Sequence, residues 1–280
     1  MMKKLILLIA VTTLVGCGQK APQVQPNAKT RPVPAGPTSA ELSTLGKKHP
    51  DAFVNSLGMV FRPVPGTEVQ FCIWETRVKD YKAYAEANTG VDDNWKRPIR
   101  NSPFTQTDMH PVVKVSFPDA QAFCAWLTKK EMAEGKIKAG QKYRLPTDAE
   151  WSVAVGLGKE EGNTPRAKSG GIKDVYPWGQ QWPPPKEAGN YHGSLGVDGF
   201  EFTSPVGSFA VNKYGIHDLG GNAEEWCEDL WDPAAKNYRV KRGSHYGAFA
   251  SRYILSSLRV NIPYDWRSIF SGFRCVLASE

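Results

Sequence analysis

Five cysteines and five histidines are the side chains of this sequence most apt for chemistry. Thiolate and imidazole together hold zinc, but no two cysteines have CxxC spacing. His49, His110, His192, His217 and His245 do not fall at paired-ligand spacings with them either. Cys72, Cys124, Cys227 and Cys275 each lie in an apolar run, such as Gln70-Phe71-Cys72-Ile73-Trp74. Such runs suit buried free thiols as well as disulfides, and in an exported protein these four could pair in three ways. A glycine loop for phosphate and a GxSxG nucleophile elbow are both missing from the sequence. Between residues 245 and 270 the charged side chains are Arg252, Arg259, Asp265 and Arg267, a poor set for general acid-base work.

The same stretch is rich in groups that make contacts: His245, Tyr246, Gly247, Phe249, Ser251, Tyr253, Leu255, Val260, Ile262, Tyr264, Trp266, Ile269 and Phe270. Large aromatics offer contact area at low rotamer entropy, and small residues adapt around them, as in a paratope. Composition is biased here as well. Lys, Glu, Gln and Met supply 50 of residues 1–241 and none of residues 242–279. Core strands poor in Lys and Glu are the plain alternative explanation.

The elements that must position these side chains are read from the rest of the sequence. With 280 residues, 41% hydrophobic and 22% charged, the composition is that of a folded chain and excludes disorder as the main answer. The apolar run at residues 5–16 is too short to span a membrane. The net charge is +7, but its Lys and Arg are scattered, so no nucleic-acid partner is expected. Met1 to Lys4, the apolar Leu5 to Val15 and the lipobox-like Leu14-Val15-Gly16-Cys17 read as a lipoprotein signal peptide over residues 1–16. Cys17 would then carry acyl chains, holding the protein to the bacterial cell envelope, at the outer membrane and surface-exposed, by lipid alone. An ordinary secretory leader with an incidental cysteine is the alternative. Residues 17–50 hold Pro22, Pro26, Pro32, Pro34 and Pro37 and read as a tether, leaving 51–280 as the globular domain. Helices are expected at Val78 to Asn88 and at Pro118 to Met132, the latter with Ala120, Ala122, Phe123, Trp126 and Leu127 on one face. A third should start after Thr147, where Glu150 completes a capping box. Short strands and long loops are expected elsewhere.

A series of blocks then gives the domain a family likeness. His110-Pro111-Val112-Val113, Tyr143-Arg144-Leu145-Pro146-Thr147-Asp148-Ala149-Glu150-Trp151 and Tyr176-Pro177-Trp178-Gly179 come first. Pro205-Val206-Gly207, Tyr214-Gly215-Ile216, Gly221-Asn222-Ala223-Glu224-Glu225-Trp226, Arg242-Gly243-Ser244 and Gly272-Phe273-Arg274 follow in order. In this order they resemble the formylglycine-generating enzyme, or sulfatase-modifying factor, family. The resemblance implies an α+β, C-type-lectin-like fold with few helices, short strands and much irregular loop, and a binding or catalytic surface in the C-terminal third.

It also implies two structural calcium sites. One would use Asn190, the Tyr191 backbone, Asp198 and the Phe200 backbone; the other Asp218, the Gly221 and Ala223 carbonyls, and Glu225. These are the oxygen donors a hard cation takes, and hydrogen-bonded turns are the alternative. The family's enzymes use two closely spaced copper-binding cysteines after this Arg-Gly-Ser block. Here those positions fall near Gly247 and Arg252, so no copper is expected.

The missing residue types carry a second resemblance, to the variable proteins of diversity-generating retroelements. Mutagenised AAC codons keep a pyrimidine in the third position, which cannot encode Lys, Glu, Gln or Met. Trp266 departs from this, although another adenine-containing codon such as AGG could yield it. Several such proteins share the lectin-like fold and are surface lipoproteins with a variable region between the Arg-Gly-Ser and Gly-Phe-Arg blocks, here residues 239–274. This resemblance implies a non-catalytic binder of a macromolecular ligand, protein before others. The other class left open is an enzyme or accessory protein of the sulfatase-modifying family that acts without the thiol pair.

Overall fold

The computed structural model describes residues 51–102 and 104–279; the expected leader, Cys17 and the tether lie outside them. Two antiparallel-based sheets frame the domain. The first contains β1 (Phe53–Val54), β2 (Val60–Pro63), β3 (Val69–Cys72), β4 (Gln141–Arg144) and β9 (Val276–Ser279) in the order β1-β2-β3-β9-β4. The second contains β5 (Glu224–Leu230), β6 (Tyr238–Arg242), β7 (Val260–Pro263) and β8 (Ser271–Gly272) in the order β7-β6-β5-β8, with β5 and β8 parallel. The helices are α1 (Val78–Ala87), α2 (Phe117–Ala133), α3 (Asp148–Val155) and the single turn α4 (Pro165–Lys168).

The helix starts follow from local chemistry. Ser116 Oγ accepts from the Asp119 N–H at 3.3 Å while Asp119 Oδ2 accepts from the Ser116 N–H at 2.8 Å, so α2 opens in a capping box. At α3 Thr147 and Glu150 exchange the same pair of bonds, at 3.2 and 2.8 Å, and Gly156 closes the helix at φ 90°, where a Cβ would be strained. The buried stripe of α2 is Ala120, Phe123, Cys124, Leu127 and Glu131. Ala122, expected on that face, is exposed. Two residues advance an α-helix by about 200°, which carries Ala122 away from Ala120.

Aromatic side chains fill the core, as the tryptophan-rich composition suggests. Tyr81 stacks on Phe123 at 5.9 Å, and Phe123 meets Phe273 edge-on at 5.4 Å. Trp226 is fully buried and its indole N–H donates to the Val115 carbonyl at 3.0 Å, so its polar edge is satisfied. All four described cysteines are buried free thiols, the alternative to disulfides that the sequence left open, and Cys124 and Cys275 meet in this core with their sulfurs 3.5 Å apart.

Candidate ligand-binding surface

The segment after β6 leaves the sheet at Gly243, whose φ of 92° turns the chain beside Trp151. It comes back as β7. Both ends of this excursion are tied to Asp148 at the start of α3. Arg242 Nη1 donates to Asp148 Oδ1, and Arg259 Nε and Nη2 donate to Asp148 Oδ1 and Oδ2 at 3.0 Å each. Arg259 also bonds Glu160, and Arg242 lies over the Trp151 ring at 4.4 Å. Burial alone would raise the Asp148 carboxyl, but Arg242 and Arg259 outweigh it and hold it below its ordinary value. Between these anchors the backbone is bonded to the preceding loops: His192 N–H to the Ala248 carbonyl at 3.0 Å, and Ser256 N–H to the Val175 carbonyl at 2.8 Å.

On this frame the aromatic residues divide. Tyr246 is only 4% exposed and packs between Phe202 and Phe270, and Ile254 is buried against Tyr176 and Tyr191. Phe249 and Tyr253 face outward, 55% and 43% exposed, with ring centres 6.1 Å apart. Arg252 lies over the Tyr253 ring at 4.4 Å and donates to its hydroxyl. Tyr264 and Trp266, 41% and 57% exposed, form a second outward pair past the other end of β7, about 10 Å of strand away from Val260. His245, Gly247, Ser251, Leu255, Val260, Ile262, Ile269 and Phe270 are half-buried. Residues 271–278 are all buried, so burial accounts for part of the missing Lys and Glu.

Beneath Phe249 and Tyr253 lies a cavity of about 200 Å³ walled by Ala248, Leu258 and Val260, with Glu224, Ser244 and His245 at its polar side. Glu224 is paired with Lys241, which also donates to Ser271 Oγ at 2.7 Å. Burial would raise the Glu224 carboxyl, but the Lys241 ammonium holds it below its ordinary value. His245 stacks on Phe270 at 3.9 Å, and its Nδ1 accepts from the Gly247 N–H at 3.0 Å. Burial pulls its imidazole down, so the ring is neutral with its proton on Nε2. Sequence reasoning missed Glu224 and Lys241, which come from β5 and β6 and not from the aromatic stretch. Their signal was available only as charged residues inside otherwise core-forming strands.

The copper-binding thiols would fall near Gly247 and Arg252, where the sequence has no cysteine, and the described cysteines are all buried elsewhere. A soft Cu(I) centre has no thiolate here.

At the first oxygen set, Asn190 Oδ1 is buried and has no hydrogen-bond partner among the described residues, which fits a cation ligand. Asp198 accepts from the Tyr191 and Phe200 N–H groups at 2.9 Å each, and burial raises its carboxyl. At the second set Asp218 Oδ1 is likewise buried and unpartnered among the described residues. Both Glu225 oxygens are taken, by Arg274 and by the Trp151 indole N–H, so a cation there would have to share that carboxylate with a fully buried guanidinium. Among the described residues no group of three or more His, Cys, Asp or Glu side chains is placed to hold a metal ion. Either set would therefore lean on amide and peptide oxygens.

The comparisons with known proteins agree with this architecture. The chain is 30% identical over 209 residues to the formylglycine-generating enzyme of Thermomonospora curvata, covering 65% of this chain and 60% of that protein. It is 35% identical over 176 residues to the inactive C-alpha-formylglycine-generating enzyme 2 of Mus musculus, covering 59% of this chain and 48% of that one. It thus spans about half to three-fifths of the length of these curated relatives. Among solved structures, Treponema denticola variable protein 1 superposes with a TM-score of 0.54 at 19% identity, covering 81% of this chain and 93% of that one. PvdO from Pseudomonas aeruginosa superposes with a TM-score of 0.55 at 24% identity, covering 75% and 80%. These likenesses establish the lectin-like α+β fold. The sequence profile of the sulfatase-modifying factor enzyme 1-like domain matches residues 19–279, and the chain belongs to that family.

Proposed function

We propose that this chain is a lipid-anchored protein of the bacterial envelope that binds a macromolecular ligand, without catalysis, through the surface of residues 245–270. Its C-terminal segment would be diversified by a retroelement. The observation that carries this reading is the division of labour within the segment. Tyr246, Ile254 and the two arginines point inward and hold the frame, while Phe249, Tyr253, Tyr264 and Trp266 are displayed. Exposed aromatics on a rigid backbone suit an interface that can change side chains without changing shape. The non-thiol residues at Gly247 and Arg252 support a departure from the family's copper chemistry, and the fold shared with a variable protein supports the comparison to diversified binders. We assign calcium a structural role at the Asn190 and Asp198 set, supported by the unpartnered Asn190 oxygen.

Sequencing the codons of residues 239–280 across many cells of one population, with the neighbouring genome, tests the reading. The expected result is variation confined to adenine-matched positions of a nearby near-copy, beside a reverse transcriptase gene. An invariant segment without such a copy would refute diversification.

A further inference from the structure

The cavity under Phe249 and Tyr253 has a geometry that selects one kind of occupant. Glu224 Oε2 is engaged by Lys241, while Glu224 Oε1 stands 3.8 Å from His245 Nε2, too far for a direct hydrogen bond. With Nδ1 accepting from Gly247, the Nε2–H is a donor and Oε1 an acceptor across that gap. A hydroxyl oxygen about 2.8 Å from each would accept from the ring and donate to the carboxylate. Ser244, on the same side, has a buried hydroxyl with no partner among the described residues and sits at φ 65°, a backbone conformation a non-glycine residue adopts at some cost. Apart from Tyr253 at the mouth, the remaining side-chain walls, Ala248, Phe249, Leu258 and Val260, are apolar. At about 200 Å³ the space is below the roughly 300 Å³ typical of small-molecule sites, so it suits a single side chain.

The geometry points to an anchor pocket for one tyrosine side chain of a protein partner, its ring between Phe249, Leu258 and Val260 and its phenol bridging His245 and Glu224. This rests on the ligand-binding reading above and names the chemistry of that site. A sugar ring is disfavoured because it would press several hydroxyls against Leu258 and Val260, where no polar partner is offered. Phenylalanine would leave the Nε2–H to Oε1 gap unbridged, and a site built to bond a hydroxyl discriminates against the analogue without one.

The test uses p-cresol as the tyrosine side-chain probe, toluene as the same ring without the hydroxyl, and methyl glucoside as the sugar. Each is titrated into the full chain and followed by NMR. The expected result is that p-cresol shifts the Phe249, Tyr253 and Val260 signals and binds about tenfold or more tightly than toluene. His245→Phe, which keeps the ring stacked on Phe270, should reduce that ratio to near one. Equal binding of p-cresol and toluene, or no binding of either, would overturn the inference in the unmodified protein, without reliance on a variant. Tighter binding of methyl glucoside at the same signals would overturn it in favour of a carbohydrate. The population sequencing test is independent, so an invariant gene with a p-cresol site would remove diversification and leave the pocket standing.

Discussion

Asp148→Asn tests the frame on which the displayed residues depend. The carboxylate stands between two guanidinium groups whose side chains are fully buried, and it accepts bonds from both. Asparagine keeps the volume but removes the charge, leaving Arg259 paired with Glu160 and taking from Arg242 the carboxylate it is paired with. Removing one member of a buried ion network costs about 3–5 kcal/mol. For a domain of this size each kcal/mol moves Tm by about 2–4 °C, so a fall of roughly 10 °C is expected at pH 7. Thermal unfolding by circular dichroism reads it, with Asp232→Asn as the control, because the Arg166 partner of Asp232 is largely exposed and such a pair contributes about 0–1 kcal/mol. The pH dependence gives a second check. Because the folded Asp148 carboxyl lies below its unfolded value of about 3.9, its stabilisation is fully present above about pH 4. It is lost as pH falls through the folded value, so wild type and variant should converge on acidification. A Tm loss no larger than that of Asp232→Asn, or one that grows in acid, would refute the anchoring role.

Three further outcomes follow from the described geometry. Phe249→Ala and Tyr253→Ala, at half-exposed positions, should leave stability within about 0.5 kcal/mol by denaturant unfolding while abolishing capture of the macromolecular ligand; a variant that unfolds early would place these rings in the core. Cys124 and Cys275, with sulfurs 3.5 Å apart, should form a disulfide under oxidising conditions, seen by mass spectrometry as the loss of two hydrogens and prevented by Cys275→Ser. The reaction should be slow, because burial pushes the Cys275 thiol well up and suppresses its thiolate. Calcium should raise Tm by mass action and chelation should lower it, with Asn190→Ala insensitive to either; an unchanged Tm in calcium would remove the structural ion.

The capping box at Thr147 and Glu150 was legible because a helix start is written in four adjacent residues. The start of α2 was nearly so: Pro118 marked it, but Ser116 is the cap and the helix begins at Phe117. What sequence could not show is what distance along the chain hides. Asp148 meets Arg242 and Arg259 across 94 and 111 residues, and no local pattern links them. The polar side of the cavity was hidden in the same way, since Glu224 and Lys241 are brought beside His245 by the pairing of β5 with β6. The aromatic stretch gave a different difficulty. Its composition marks Tyr246 and Phe249 alike, yet one is packed against Phe270 and the other faces solvent. Gly243 and Ser244 both sit at positive φ and open an irregular loop, so which of its side chains turn inward cannot be counted from residue types.

The placement of β9 bears on how errors in the preceding segment are handled. Val276–Ser279 lies between β3 and β4 and pairs with both, so the middle of the first sheet is supplied by residues translated after the aromatic stretch. A frameshift or stop codon arising within residues 242–274 would delete that strand and open the sheet along its centre. Such a product would expose two unpaired strand edges and be left to proteolysis. Missense changes at outward positions leave β9 in frame. If the segment is diversified as proposed, this topology would act as a proofreading step, because only copies whose altered segment has been read through intact would complete the first sheet.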